Sequence, residues 1–419
     1  MQVPKPSACW DVDGAEAVLS QLWPVQRPLA RVEITSEATL SATPERGDLK
    51  FSLDDDGLLR LQTTDSRPVS LRVVATTKTE TKFVAQERGA EIRLDANGGF
   101  GVWPSSASMR RDAKGLDRDL VFDLVEGEEL FVQALPSKRP DPRFLGWRIA
   151  HEGQPRPFPR AAYPNNERLK ECLAHAELFA WHAYFWRGLS LGERLQAKAR
   201  PWRRSSWMTA FHEPELKEEF ERVKDGVKQS GRPFVLYISP RYSRAPNLAE
   251  EMKRIVVEYG ADGFYLDGLA LDIREARAQM VAARAAVGND GLLYLNASDR
   301  PYTNAGMRCP FVEGLADFCL RGANGKSGLD RESFLRFGVS GWHTTSTIGL
   351  WCHYGSRGLP FPYDRAPSNA DIDAALEAHV RLWRRSHWGV SALARFDARY
   401  EPGLAVLAER EKRALATEN

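Results

Sequence analysis

Ala261-Asp262-Gly263-Phe264-Tyr265-Leu266-Asp267-Gly268 sets a short run, apolar on both faces, directly against a carboxylate and a turn dipeptide. Such a run bounded by turn residues reads as a fully buried strand. Just upstream, Met252, Ile255, Val256 and Tyr259 share one helical face that Gly260 closes. Asn247 and Glu250 open that helix as a capping-box-like pair. Before it stands another continuous apolar strand, Phe234-Val235-Leu236-Tyr237-Ile238. Downstream, a helix from about Ile273 to Val287 stops at Gly288, and Leu292-Leu293-Tyr294-Leu295 is a third strand. Two consecutive βαβ units with strands apolar on both faces imply a parallel sheet covered by helices.

The pattern extends in both directions. Leu216, Phe220, Val223 and Val227 lie on one helical face between Pro214 and Gly231. Further strand candidates are Leu178–Phe185, Asp317–Leu320, Gly341–Thr345 and Val390–Ala394. About seven strands over roughly 250 residues fit a (β/α)8 TIM-like barrel better than an open doubly wound sheet. No Gly-x-Gly-x-x-Gly follows a strand, which weakens a dinucleotide-binding reading.

Ahead of this region the period is two. Val32/Ile34, Leu59/Leu61, Val69/Leu71/Val73, Ile92/Leu94, Leu120/Phe122/Leu124 and Phe131/Gln133 alternate with polar neighbours. Asp56-Gly57, Asn97-Gly98-Gly99 and Glu126-Gly127 supply turns, so residues 30–150 read as an antiparallel β-sandwich. Residues 1–29 are expected as an extension or linker, and 151–419 as the barrel. Pro155, Pro157, Pro159 and Pro164 mark a connecting stretch between the two.

The 419 residues carry 58 Lys+Arg against 56 Asp+Glu, a formal net charge of +2, so the footprint of a nucleic-acid binder is missing. Five Cys in no CxxC spacing argue against a disulfide framework or zinc site. No run approaches the length of a membrane span. The N-terminus lacks a charged segment followed by an apolar one, so the chain as written reads as cytoplasmic, or as exported if it is part of a longer precursor. Of 12 Trp, eight fall in the barrel half: Trp181, Trp186, Trp202, Trp207, Trp342, Trp351, Trp383 and Trp388. That distribution favours an aromatic binding cleft over a uniformly aromatic interior.

Barrels place function at the C-terminal strand ends. There the sequence puts Asp267, Asn296 with Asp299 three residues on, Ser239 followed by Arg241 and Tyr242, the cluster Trp181, His182, Tyr184 and Trp186, and Trp342-His343. Paired carboxylates across such a rim are what glycosidic cleavage needs, one protonating the leaving oxygen and the other attacking the anomeric carbon or activating water. Asp267 and Asp299 are therefore the candidate catalytic pair. Trp181, His182, Tyr237, Arg241, Asn296, Arg321, Trp342 and His343 are candidate substrate contacts. Asp299 also suits an Asx turn or an ion pair with Arg300. Asp272 also suits a helix cap. Glu313 and Asp317 precede a strand and so fall on the opposite rim.

Other motifs compete. Gly188-Leu189-Ser190-Leu191-Gly192 matches a nucleophile elbow, and Ser190, Asp267, His343 run in triad order. The strand before it is crowded with Trp and Tyr, and no oxyanion glycine cluster precedes it. Gly325-Lys326-Ser327 lacks the first glycine of a phosphate loop. Asp54-Asp55-Asp56-Gly57 and Asp11-Val12-Asp13-Gly14 read as hairpin turns rather than calcium loops. His343 and His353 have no third ligand in pattern, so neither metal nor cofactor is expected. Basic clusters at Arg200–Arg204 and Trp383–Arg385, with Arg241 and Arg321, would suit an anionic sugar if they faced the barrel mouth.

Three segments carry a resemblance: Leu130–Pro140 at the end of the β-sandwich, Asp262–Asp272 followed by an Arg-rich helix, and Phe311–Gly322 with Phe334–Gly341 leading into Trp342. Together, from about residue 115 to 355, they resemble bacterial proteins related to glycoside hydrolase family 123, the β-N-acetylgalactosaminidases. The resemblance implies a sandwich followed by a catalytic barrel acting on sugars, with a role for Asp267. The family pairs two adjacent acids and lets the substrate's acetamido group attack. This chain has Gly268 beside Asp267, and Arg321 where relatives carry an acid. The reading that results is a carboxylate-based glycoside hydrolase with a carbohydrate substrate. The alternatives are a catalytically silent carbohydrate-binding barrel and a serine hydrolase using Ser190.

Overall fold

In a computed structural model the chain is a mixed α/β protein with antiparallel sheets and a curled parallel half-barrel. The structure describes residues 8–135 apart from short connecting stretches, 149–152, 162–188 apart from 183–184, 209, 211–269, 272–296, 312, 314–321, 346–348 and 391–393.

The first strands are β1 (Ala8–Asp13), β2 (Glu16–Gln26), β3 (Arg31–Ile34), β4 (Ala38–Pro44), β5 (Leu49–Leu53), β6 (Leu58–Thr63) and β7 (Val69–Thr77). They continue with β8 (Lys82–Ala85), β9 (Ala90–Arg93), β10 (Gly99–Pro104), β11 (Ser108–Lys114), β12 (Asp117–Leu124) and β13 (Glu129–Leu135). One sheet runs β1-β2-β4-β7-β12-β11 with β3 beside β2, and the other runs β5-β6-β13-β10-β9-β8. Alternation decides their packing. Leu71 and Val73 of β7 and Leu120 and Phe122 of β12 share a core cluster with Leu59 and Leu61 of β6 and Leu130 and Val132 of β13. The opposite face of the second sheet carries Trp103, Phe131 and Arg60, which pair across the strands. Gly101 is glycine because a Cβ there would lie 1.9 Å from the Trp103 ring.

Residues 8–26, expected as extension or linker, contribute β1 and β2 to the first sheet. Their alternation is hard to read because the register shifts at Cys9/Trp10 and again between Leu22 and Val25. Each bulge breaks the period of two.

The parallel sheet holds β14 (Ile149–Glu152), β15 (Leu178–Trp181), β16 (Phe234–Ile238), β17 (Gly263–Asp267), β18 (Leu292–Asn296), β19 (Phe318–Arg321), β20 (Ser346–Ile348) and β21 (Ser391–Leu393). Its order is β20-β19-β18-β17-β16-β15-β14-β21, so the last of these strands in sequence lies beside the first of them. The strand expected over Leu178–Phe185 ends at Trp181. The one expected over Gly341–Thr345 lies outside the described residues, next to β20.

The helices form where caps and apolar faces agree. Asn247 accepts from the Ala249 and Glu250 N–H groups to open Leu248–Tyr259, and Gly260 closes that helix at φ 64°. Asp272 caps Ile273–Val287 by accepting from Arg274 and Glu275 N–H. Lys217–Gln229 buries Phe220, Val223 and Val227. A helix at Asn166–His175, capped by Asn165, lies just past the proline-rich stretch.

Ile273–Val287 follows the strand that carries Asp267, and it also docks on the antiparallel sheets. Arg277 pairs with Asp54 at 3.0 Å, Asp54 also holds Arg60, and Arg274 donates to the Gly127 carbonyl. At the N-terminal rim two aspartates repeat one device. Asp262, before β17, accepts from the Phe234 N–H at the start of β16 and from Lys228. Asp317, before β19, accepts from the Leu293 N–H and from Arg284. Each ties neighbouring strands at the end away from the rim that carries Asp267.

Candidate functional site

Side-chain parity sorts the parallel strands into two faces. Ile149, Leu178, Ala180, Val235, Tyr237, Tyr265, Leu292, Tyr294 and Phe318 form one buried cluster on the concave face. Phe179, Trp181, Leu236, Ile238, Phe264, Leu266, Leu293 and Leu295 join the larger core beneath the helices. Counting on by twos, His182, Ser239, Asp267 and Asn296 continue the concave face at the C-terminal ends. A polar layer therefore sits on a floor of tyrosines. Ring centroids run 5.7 Å from Tyr237 to Tyr265 and 4.8 Å from Tyr265 to Tyr294, with His182 4.6 Å from Tyr237.

Asp267 is the centre of that layer. The Tyr237 hydroxyl donates to Oδ2 at 3.1 Å and the Asn296 amide donates to Oδ1 at 3.0 Å. Both carboxylate oxygens thus accept a bond from a neighbouring strand, which fixes the carboxylate plane. Tyr237 and Asn296 are themselves almost fully buried, while Asp267 keeps partial exposure. A carboxylate held this way presents one face to an incoming group and needs no reorganisation when it reacts. Gly268 follows at φ 75°, a conformation that L side chains rarely adopt, and its carbonyl accepts from the Arg241 N–H at 2.7 Å.

Tyr237, Asn296 and Asp267 are thus brought into contact, with His182 against Tyr237. Arg241 lies half-buried beside Gly268, its guanidinium 5.3 Å from the Tyr242 ring centroid. Trp181 is placed elsewhere. It is fully buried on the helix-facing side, stacked on Phe185 and Phe220, with its indole N–H donated to the Ala162 carbonyl. It is core and cannot touch a substrate in the concave mouth. Trp186 is buried too, donating to the Tyr237 carbonyl at 2.7 Å. Parity explains the difference, since Trp181 and His182 are neighbours and only one can face inward. Asp299, Trp342, His343 and Ser190 lie outside the described residues, as does the side chain of Arg321. Asp272 serves as a helix cap, and Asp317 holds the opposite rim.

The sequence puts Ser239 on this rim without assigning it a contact, and it does not show a second polar cluster. Two-residue counting from Val235 and Tyr237 finds Ser239. The cluster is harder to read because its members lie in different elements. His212, in the connection after β15, is buried, and its Nδ1 stands 3.0 Å from Glu251 in the first turn of Leu248–Tyr259. Arg254 donates to both Glu251 oxygens and to the His212 carbonyl, and packs over Phe211 at 3.7 Å. Burial pushes the Glu251 carboxyl up, but Arg254 and His212 outweigh it and hold it at about 2. Burial pushes the His212 ring down by more than Glu251 raises it, which favours neutral imidazole. A carboxyl depressed from 4.5 to about 2 stabilises the fold at pH values above 4.5 and loses that contribution as pH falls toward 2. Glu251→Gln should therefore lower Tm at pH 7 and flatten the Tm profile across that acid window. An unchanged profile would show that Glu251 does not hold the connection.

Among the described residues no three or more His, Cys, Asp or Glu are grouped to hold a metal ion, and no helix is long and apolar enough to cross a membrane.

No family model matches the chain, and no curated protein does. Solved structures similar to it include glycoside hydrolases. The TtGalA alpha-galactosidase from Thermus thermophilus, in complex with stachyose, is 12% identical at TM-score 0.38, over 90% of this chain and 92% of that one. The alpha-N-acetylgalactosaminidase NagBb from Bifidobacterium bifidum is 11% identical at TM-score 0.36, over 98% and 87%. Pullulanase type I from Bacillus subtilis is 10% identical at TM-score 0.36, over 100% and 86%. At these scores and identities the likeness assigns neither fold nor activity.

Proposed function

We propose that the chain is a glycoside hydrolase in which Asp267, at the C-terminal end of β17, is the nucleophile. In this reading the parallel strands close into a (β/α)8 barrel behind a two-sheet sandwich to which β1 and β2 belong. The observation that carries it is the clamped Asp267 carboxylate on the concave face, one oxygen held by Tyr237 and the other by Asn296. Attack of that carboxylate on an anomeric carbon gives a glycosyl ester. A second carboxyl first donates a proton to the leaving oxygen, then takes one from the water that cleaves the ester. Asp299, three residues beyond Asn296, is the proposed partner, about 5–5.5 Å from Asp267 if configuration is retained. His182 would meet the sugar's hydroxyls. Trp342, His343 and Arg321 would complete the mouth from the later strands.

The test is release of p-nitrophenol from a panel of aryl hexosides, hexosaminides and uronides. Hydrolysis of at least one of them, with the product's anomeric configuration retained by proton NMR, is the expected result. Failure on every member would reject the proposal. Tyr237→Phe keeps the ring in the floor and removes only the bond to Oδ2. It should lower kcat about tenfold or more with little change in Tm. A full-rate phenylalanine variant would show that the clamp does not matter for turnover.

A further inference from the structure

Around Gly268, the residue after Asp267, stand two residues with donors that the clamp does not use. Ser239 follows the last residue of β16 and continues the concave face, and it is 1% exposed. Among the described residues its hydroxyl has no hydrogen-bond partner. A buried hydroxyl left so is costly and calls for an occupant. Arg241, two residues on, is half-buried, and among the described residues no carboxylate pairs with it. Arg254, Arg277 and Arg284, by contrast, each pair with an acid.

The two are held together by Gly268. A Cβ built there would lie 3.3 Å from the Ser239 hydroxyl and 3.6 Å from Arg241 Cβ. The loop is fixed around them, the Ser239 carbonyl accepting from the Tyr242 and Ser243 N–H groups and the Gly268 carbonyl from Arg241. Hydroxyl and guanidinium can both donate, and a guanidinium cannot accept. A neutral sugar hydroxyl would satisfy Ser239 but leave the Arg241 charge unmatched. An oxyanion satisfies both, and the planar guanidinium pairs in bidentate fashion with a carboxylate.

We infer that Ser239 and Arg241 form an anion subsite next to Asp267, and that the sugar bound there carries a carboxylate or a sulfate. The inference rests on the proposed glycosidase reading for its placement beside the scissile bond, but binding can be measured without turnover.

The probes are glucuronate, galacturonate and galactose 6-sulfate, each titrated calorimetrically against its neutral parent sugar. The wild-type chain should bind at least one anionic sugar about tenfold more tightly than its parent. The uronate arms distinguish a carboxylate from the sulfate arm. Arg241→Gln should abolish that preference, Arg241→Lys should keep part of it, and Ser239→Ala should weaken it. Asp267→Asn should retain it, as should Lys253→Gln on the exposed face of the next helix. Equal binding of anionic and neutral sugars by the wild type would overturn the inference, as would an undiminished preference in Arg241→Gln. Arg241-dependent binding without hydrolysis of any glycoside would uphold the subsite and reject the hydrolase. Hydrolysis without a charge preference would do the reverse.

Discussion

Asp267→Asn should reduce glycoside turnover about ten-thousandfold while the protein melts close to the wild-type temperature. Both halves follow from the clamp. Asparagine has the shape of aspartate, and its carbonyl oxygen can take the Asn296 amide bond that Oδ1 accepts. Its NH2 group can then donate to the Tyr237 hydroxyl, reversing the bond to Oδ2 without moving either ring. Folding therefore loses little. Chemistry loses the negative charge that attacks the anomeric carbon, and an amide is no substitute. A large fall in Tm would instead mean that Asp267 is chiefly a structural tie. Turnover and melting temperature, measured on one preparation, separate the two roles.

The largest stability effect is expected at the other end of the sheet. Arg284 is almost fully buried, and its guanidinium donates to the Leu315, Gly288 and Gly291 carbonyls and to Asp317 Oδ2. Asp317 passes that tie to the Leu293 N–H of β18. Arg284→Met would leave a buried carboxylate without its counter-charge and three carbonyls without their donor. Such a loss costs about 3–5 kcal/mol. Urea unfolding followed by tryptophan fluorescence should show it, since Trp181 and Trp186 lie in the core beneath the helices. Because Arg284 stands at the rim away from Asp267, kcat of the folded variant should hold. Unchanged stability would show that the N-terminal rim tolerates an open tie.

The parallel strands were legible where apolar runs meet clear punctuation. Ile273–Val287 has the expected ends because Asp272 and Gly288 mark them with side-chain chemistry. β14 was not read, because Ile149-Ala150-His151-Glu152 has neither an apolar run nor a clean alternation. The helix Asn166–His175 was hidden behind prolines that look like a linker. At the site, Asp267 was legible because a carboxylate ends a fully apolar strand, and Asn296 because it ends the next. What composition could not supply was facing. Trp181 looked like a rim aromatic, yet one residue of register puts it under the helices and His182 inward. The same count exposes Ser239, an unremarkable serine until its parity is fixed by Tyr237. The His212–Glu251–Arg254 cluster joins two elements 39 residues apart, which no local pattern could reveal.

The most direct test of Asp267 as nucleophile is chemical rescue of the alanine variant. Asp267→Ala removes the attacking group and leaves a space on the face from which it acts. Azide can enter that space and attack the anomeric carbon of an activated aryl glycoside that the wild type cleaves. The account predicts negligible turnover without azide and, with it, restored release of the phenol and a glycosyl azide of inverted configuration. Wild-type-like turnover by the alanine variant without azide would contradict it, as would the absence of any glycosyl azide at saturating azide.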